Sequence, residues 1–199
     1  MKLFVGIPNS QHVVLSKFFW SVMNIKPVCH SVTARSAHTN SEVRNNSLIK
    51  MFLDGDYDYF VKLDVDQTYP SNYYEVMVPL IEKYKCIGPV IYDRWRENNF
   101  VPLVFDHPAK VMIEKKGIEE LKFLHTNVFF AREVLEAIPA PWYECALNET
   151  GTDRAFHVDR HFMAKVITAG YKIFVNYDVT VKHIAEVEID KDAYIRWNN

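Results

Sequence analysis

Short apolar runs and segments of helical period alternate along the chain as far as Tyr92. Phe4-Val5, within the run Leu3 to Ile7, reads as a strand, Val13 to Met23 as a helix, Val28 to Thr33 as a strand and Ser41 to Leu53 as a helix. Tyr59 to Val65, Tyr73 to Tyr84 and Cys86 to Tyr92 continue as strand, helix and strand. A repeat of this kind buries both faces of its strands only if helices cover the sheet on both sides. It therefore predicts an α/β domain with a mainly parallel sheet, 1–199 forming one unit. Sheets of this class place their ligands beyond the carboxyl ends of the strands.

Local signals refine the pattern. Thr39 and Glu42 have the spacing of a capping box ahead of Leu48, Ile49, Phe52 and Leu53, and Asp54-Gly55-Asp56 supplies a stop. Pro79 predicts that the third helix begins, breaks or kinks there. Regularity loosens over residues 93–122, read as an irregular insert over the site with a short strand at Val111 to Ile113. Phe123 to Ala131 then reads as a strand, Glu133 to Ile138 as a short helix, Pro139 to Gly151 as a loop, Arg154 to Ala169 as a helix, and Tyr171 to Ile184 as a strand pair.

Composition excludes several classes. With 49% hydrophobic and 14% aromatic residues in 199, the chain has material for a core and is not a disordered segment. Lys and Arg number 23 against 25 Asp and Glu, a net charge of −2 without a basic cluster, which argues against a nucleic-acid partner. The opening apolar run is too short for a signal peptide's apolar region or a membrane span. Cys29, Cys86 and Cys145 are odd in number and widely spaced, so core thiols in a reducing cytoplasm are expected rather than a disulfide framework or zinc site.

The most informative stretch is Tyr57-Asp58-Tyr59-Phe60-Val61-Lys62-Leu63-Asp64-Val65-Asp66-Gln67-Thr68-Tyr69-Pro70, a buried strand ending in two carboxylates one residue apart. At a strand's carboxyl end such a pair can flank a divalent cation that neutralises a diphosphate. On the helix from Arg154, Asp159 shares a stripe with Ala155, Phe156, Phe162, Met163, Val166 and Ile167. A carboxylate there either faces the site, with a raised pKa suited to a general base, or is buried against a structural arginine. Asp153 is the substitute base, and first of all an N-cap. Asn45 lies on the stripe of Leu48, Ile49 and Phe52 and should be hydrogen-bonded inside, to the acidic turn or to a ligand. Arg44 would pair with phosphate or with Asp64.

The segment Asp64-Val65-Asp66 resembles the DxD motif of the GT-A nucleotide-sugar glycosyltransferases. Val43-Arg44-Asn45-Asn46 is similar to the "ARN" stretch that family places before the motif. Asp159-Arg160-His161-Phe162, Ala169-Gly170-Tyr171-Lys172-Ile173 and Val181-Lys182-His183 look like its ending, with Val158 where the family has an acidic residue. The resemblance covers about residues 3–185, the 93–122 insert matching nothing, and is to the short bacterial or viral members. It implies Mn²⁺ or Mg²⁺ held by Asp64, Asp66 and His183, although in many members the first Asp contacts ribose instead. It further implies Asp159 as the base of an inverting reaction, and donor contacts at Pro8, Asn9, Arg35, Arg44 and Asn45. A nucleotide-diphosphate sugar, with uridine the favoured nucleoside, would be the donor and a hydroxyl the acceptor.

Two other readings compete. Asp64-Val65-Asp66-Gln67-Thr68 also fits the nucleophile motif of haloacid-dehalogenase-type phosphatases, which expect it on the first strand. A non-catalytic nucleotide-sugar binding module would keep the fold without turnover. His157 and His161 have metal-ligand spacing but no acidic neighbour to match, and Trp95, Trp142 and Tyr143 are loop aromatics suited either to sugar stacking or to packing. Glu144, Asn148 and Glu149 form a polar loop near the expected acceptor side.

Overall fold

The computed structural model describes residues 1–11, 13–92, 115–124, 127–145, 147–152 and 158–184. Its strands are β1 (Lys2–Pro8), β2 (His30–Ser36), β3 (Tyr59–Lys62), β4 (Gln67–Thr68), β5 (Cys86–Ile91), β6 (Ile118–Leu121), β7 (Phe129–Ala131) and β8 (Ile173–His183). The helices are α1 (Ser16–Met23), α2 (Ser41–Asp54), α3 (Tyr73–Tyr84), α4 (Arg132–Glu136) and α5 (Val158–Thr168).

The eight strands form one sheet in the order β2-β1-β3-β7-β5-β8-β4, with β6 paired to β8. β1, β2, β3, β5 and β8 run in one direction, while β4, β6 and β7 run against them. The sheet is therefore mixed and mainly parallel, as the β-α alternation predicts. The reversal comes from β7, which inserts antiparallel between β3 and β5. Phe60, Phe129, Phe130 and Phe162 are among the large side chains buried around this centre.

Helix α2 lies close over β1. A Cβ on Gly6 would stand 3.2 Å from both Leu48 Cδ1 and Phe60 Cε2, so glycine is what permits that approach. The α2 N-cap is Asn40, whose side chain accepts from Val43 N at 2.9 Å, one residue beyond the Thr39 expected. Glu42 bonds Ser41 Oγ instead of closing a capping box. At the other end Gly55 has an ordinary φ of −98°. Its smallness is used for space, since a Cβ would fall 2.2 Å from Tyr57 Cε2. Arg132 of α4 donates to the carbonyls of Leu53 (2.6 Å), Gly55 (2.9 Å) and Tyr57 (3.1 Å), completing that helix end.

Other boundaries differ for identifiable reasons. α3 runs through Pro79 without interruption, because Tyr73, Tyr74, Met77, Val78 and Ile81 are buried on both sides of it and outweigh the lost bond. The expected strand pair in 171–184 is a single strand, β8, whose register against β5 shifts at Pro89/Val90. There Asn176 Oδ1 accepts from Asp178 N at 3.0 Å, an Asx turn inside the strand. β3 ends at Lys62, three residues before the expected end, and of the described residues in the 123–131 run only Phe129–Ala131 are strand. Most of the insert, including Trp95 and Val111 to Ile113, lies outside the described residues, as do Asp153, His157 and the start of the helix read from Arg154.

Candidate active site

The chain leaves β3 at Lys62 and turns through Asp64-Val65-Asp66 before entering β4. This is the carboxyl end of a strand near the middle of the sheet, where an α/β fold leaves a crevice. The short ladder of β4 with β8 sets Gln67 opposite His183, and the Asp66 carbonyl accepts from Ile184 N at 2.7 Å. Asp66, the residue before β4, is thus brought next to the end of β8 that carries His183, 117 positions later in the numbering.

A buried polar network fixes that junction. Tyr69 Oη donates within a set comprising the Asp64 carbonyl (3.1 Å), Gln67 Oε1 (3.2 Å) and Asn127 Oδ1 (3.2 Å). Asn127, fully buried at a φ of 56°, donates its Nδ2 to Gln67 Oε1. With its oxygen so engaged, Gln67 donates Nε2 to His183 Nε2 at 3.2 Å, and His183 Nδ1 donates to the Tyr92 carbonyl. That arrangement selects the Nδ1–H tautomer, and a carbonyl on Nδ1 is how metal-binding imidazoles are commonly oriented.

Asp64 and Asp159 meet through a third group. Lys62 Nζ stands 3.5 Å from Asp64 Oδ1 and 3.5 Å from Asp159 Oδ1, and 5.8 Å from the Tyr143 ring centroid. The lysine and Asp159 side chains are 9% and 6% exposed. Burial pushes the Lys62 ammonium toward losing its proton, but Asp159 and then Asp64 outweigh that and hold it above the usual lysine value. Asp159 is buried with Phe162, Met163 and Val166, although Ile167 of the expected stripe is exposed, and Lys62 is a cationic partner of it. Lys62 was missed because a lone lysine in a strand reads as solvent-facing. The signal was its setting between Phe60-Val61 and Leu63, since a charge in a fully apolar strand needs a partner.

On the side of β1 and β2, Asn9 is buried just after Pro8, and its Oδ1 accepts from Gln11 N at 2.9 Å. Arg35 lies within β2 opposite Ile7 and donates to the carbonyls of Asn9 (3.2 Å) and Gln11 (2.6 Å), so it braces the β1–α1 loop. Arg44 donates to the carbonyls of His38 (2.6 Å) and Thr39 (3.3 Å), bracing the β2–α2 corner, and does not pair with Asp64. Asn45 is buried, but its Oδ1 lacks the internal hydrogen bond expected of it. Ser36 Oγ and Arg44 Nε, at the same corner, are likewise buried without a partner. The neighbouring Asn46, not singled out from sequence, holds the 139–151 loop by pairing with the backbone of Tyr143.

Most described residues of that loop are exposed, but its two aromatics pack inward. Tyr143 stacks on Phe162 at 4.5 Å between centroids, and Trp142 Nε1 donates to the Leu135 carbonyl at 3.1 Å. Glu144 pairs with Lys165 at 2.7 Å, with His161 Nε2 at 3.6 Å.

Among the described residues no three of His, Cys, Asp and Glu gather as a metal-holding group. Asp66 and His183 nevertheless suit a cation that arrives with phosphate oxygens, since Mg²⁺ in particular is commonly bound by one or two protein ligands together with substrate phosphates and water. No helix among the described residues is long and apolar enough to cross a membrane.

No protein-family model matches the chain, and no curated protein matches its sequence. Solved structures do match. The protein A197 from STIV aligns over 94% of this chain and 87% of its own at 19% identity with a TM-score of 0.65. GalNAc-T7, crystallised with UDP, GalNAc and Mn²⁺, aligns over 94% of this chain at 12% identity and a TM-score of 0.58. S. aureus TarS 1-349, in complex with UDP-GlcNAc, aligns over 98% at 11% identity and 0.57. This chain spans 44% and 64% of those two. At such identities what is shared is the architecture, and that architecture is a GT-A-like α/β fold.

Proposed function

We propose that the chain is a glycosyltransferase that moves a sugar from a nucleotide-diphosphate donor, with UDP favoured, to an acceptor hydroxyl. The observation that carries this reading is the Asp64–Asp66 turn at the end of β3, pinned by the β4–β8 ladder beside His183. The presence of UDP or UDP-GlcNAc in the GalNAc-T7 and TarS structures supports the choice of nucleotide. The partnerless Ser36 Oγ, Arg44 Nε and Asn45 Oδ1 support a polar ligand at the neighbouring corner, where Pro8 and Asn9 border the same strand ends.

Asp66 and His183 Nε2 would hold Mn²⁺ or Mg²⁺, the imidazole giving up its bond from Gln67. Such a cation, when bound, offsets charge developing on the departing diphosphate. Asp64, held by Lys62, takes the ribose side. Asp159 receives the acceptor's proton, which makes the reaction an inverting one. Arg35 and Arg44 keep the two donor-side loops in place. One catalytic domain over 1–199, working in a reducing cytoplasm, completes the reading, although of the three thiols expected in the core Cys145 is exposed and Cys29 half-buried.

Calorimetric titration of UDP and GDP, with and without Mn²⁺, into wild type and Asp66→Ala tests the reading. Metal-dependent UDP binding that disappears in the variant is expected, and hydrolysis and transfer from UDP-sugars would then identify the donor. Absence of binding by either nucleotide in every metal condition would overturn it and make phosphate-ester hydrolysis the next assay.

A further inference from the structure

Lys62 is the charged group whose position is least expected from its strand. Phe60, Val61 and Leu63 around it are all buried, and an ammonium among them is retained only with close compensation. Its partners come from three separate segments: Asp64 from the turn after β3, Asp159 from the first turn of α5, and the Tyr143 ring from the loop that Asn46 ties to α2. An ammonium carries three donors on a compact centre and can serve two carboxylates at once. Both contacts use Oδ1, so those two oxygens lie no further apart than twice 3.5 Å.

We propose that Lys62 is a positioning residue that joins the donor-side Asp64 and the acceptor-side Asp159 into one preorganised unit. The proposal rests on the glycosyltransferase reading. On that reading the two carboxylates serve different substrates, yet a single side chain touches both. Fixing functional groups through a buried neighbour removes the cost of ordering them when the ligand arrives. A lysine serving only as core filler would affect folding without affecting how tightly the donor nucleotide is held.

Removing Lys62 alone takes a counter-charge from the buried Asp159, so the informative variant is Lys62→Met combined with Asp159→Asn. One ammonium and one carboxylate are lost together, and the cluster keeps the net charge of wild type. The readouts are the Kd for UDP in the presence of Mn²⁺ and the melting temperature, each compared with wild type and with Asp159→Asn alone. The double variant should melt close to Asp159→Asn yet bind UDP about 10- to 100-fold more weakly, the loss of one charge-assisted contact. A folded double variant that binds UDP as wild type does would overturn the role of Lys62 and leave the glycosyltransferase reading standing. Failure of wild type itself to bind UDP or GDP with metal would overturn both.

Discussion

Asn46 on α2 and Tyr143, 97 residues later, exchange two hydrogen bonds: Asn46 Nδ2 donates to the Tyr143 carbonyl at 2.7 Å, and Tyr143 N donates to Asn46 Oδ1 at 2.8 Å. The carboxamide thus behaves as one more residue of a strand, pairing with a backbone it could not otherwise reach. It fastens the segment that carries the ring beside Lys62. Asn46→Ala should destabilise the protein by about 1–3 kcal/mol, and Asn46→Asp, which keeps only the acceptor, by roughly half as much. Urea denaturation monitored by tryptophan fluorescence checks both.

Asp159 is assigned the acceptor's proton, whereas the nucleotide is assigned to the opposite side of the crevice. Asp159→Asn should therefore lower transfer to an acceptor by about 10²-fold or more while leaving UDP affinity near that of wild type. Initial rates with a UDP-sugar and a hydroxyl acceptor, set beside calorimetry, give the two numbers. Transfer within a fewfold of wild type would remove Asp159 from the chemistry and favour a retaining route.

Arg132, the first residue of α4, closes the end of α2. Its guanidinium serves three carbonyls, pairs with Glu136 and lies 5.3 Å from the Phe52 ring centroid. Arg132→Met keeps much of the packing but none of the donors, and should cost about 2–4 kcal/mol. Arg132→Lys, unable to reach all three carbonyls with one point charge, should recover less than half of that on the same denaturation curve.

The phenols of Tyr69, Tyr73 and Tyr143 are each raised above the usual tyrosine value, burial being the leading cause in all three. A group whose pKa is higher folded than unfolded gives its full contribution below the unfolded value and loses it as pH climbs through the folded one. Stability from these phenols should be level through neutral pH and decline above about pH 10, the unfolded tyrosine value. Phenolate absorbance followed against pH should show exposed tyrosines titrating first and the buried set only as the protein unfolds. A single early titration of all tyrosines would contradict it.

Much of the architecture was legible because periodicity is local. Strand and helix in the first half differ in which neighbours are apolar, and that survives without knowledge of partners. The β7 insertion between β3 and β5 was not legible, since nothing in Phe129–Ala131 says which strands it separates or in which direction it runs. At the site the acidic turn stood out by composition, and His183 by a resemblance, but what joins them is the pairing of Gln67 with His183. The bracing roles of Arg35 and Arg44 were hidden for a related reason, because their acceptors are main-chain carbonyls and have no signature in side-chain identity.

The β4–β8 ladder also orders events in time. The acidic turn is synthesised about a third of the way along the chain, yet the residues that pin it, His183 and Ile184, are the end of the last strand described and the residue after it. During translation the turn emerges, and its own strand can pair with β1, long before its other anchor exists. Closure of the crevice is accordingly a late step that waits for a contact of long sequence separation, which is slow by topology. A nascent chain halted ahead of β8 would carry the acidic pair without the junction that holds it, so ligand binding and completion of the sheet should arrive together.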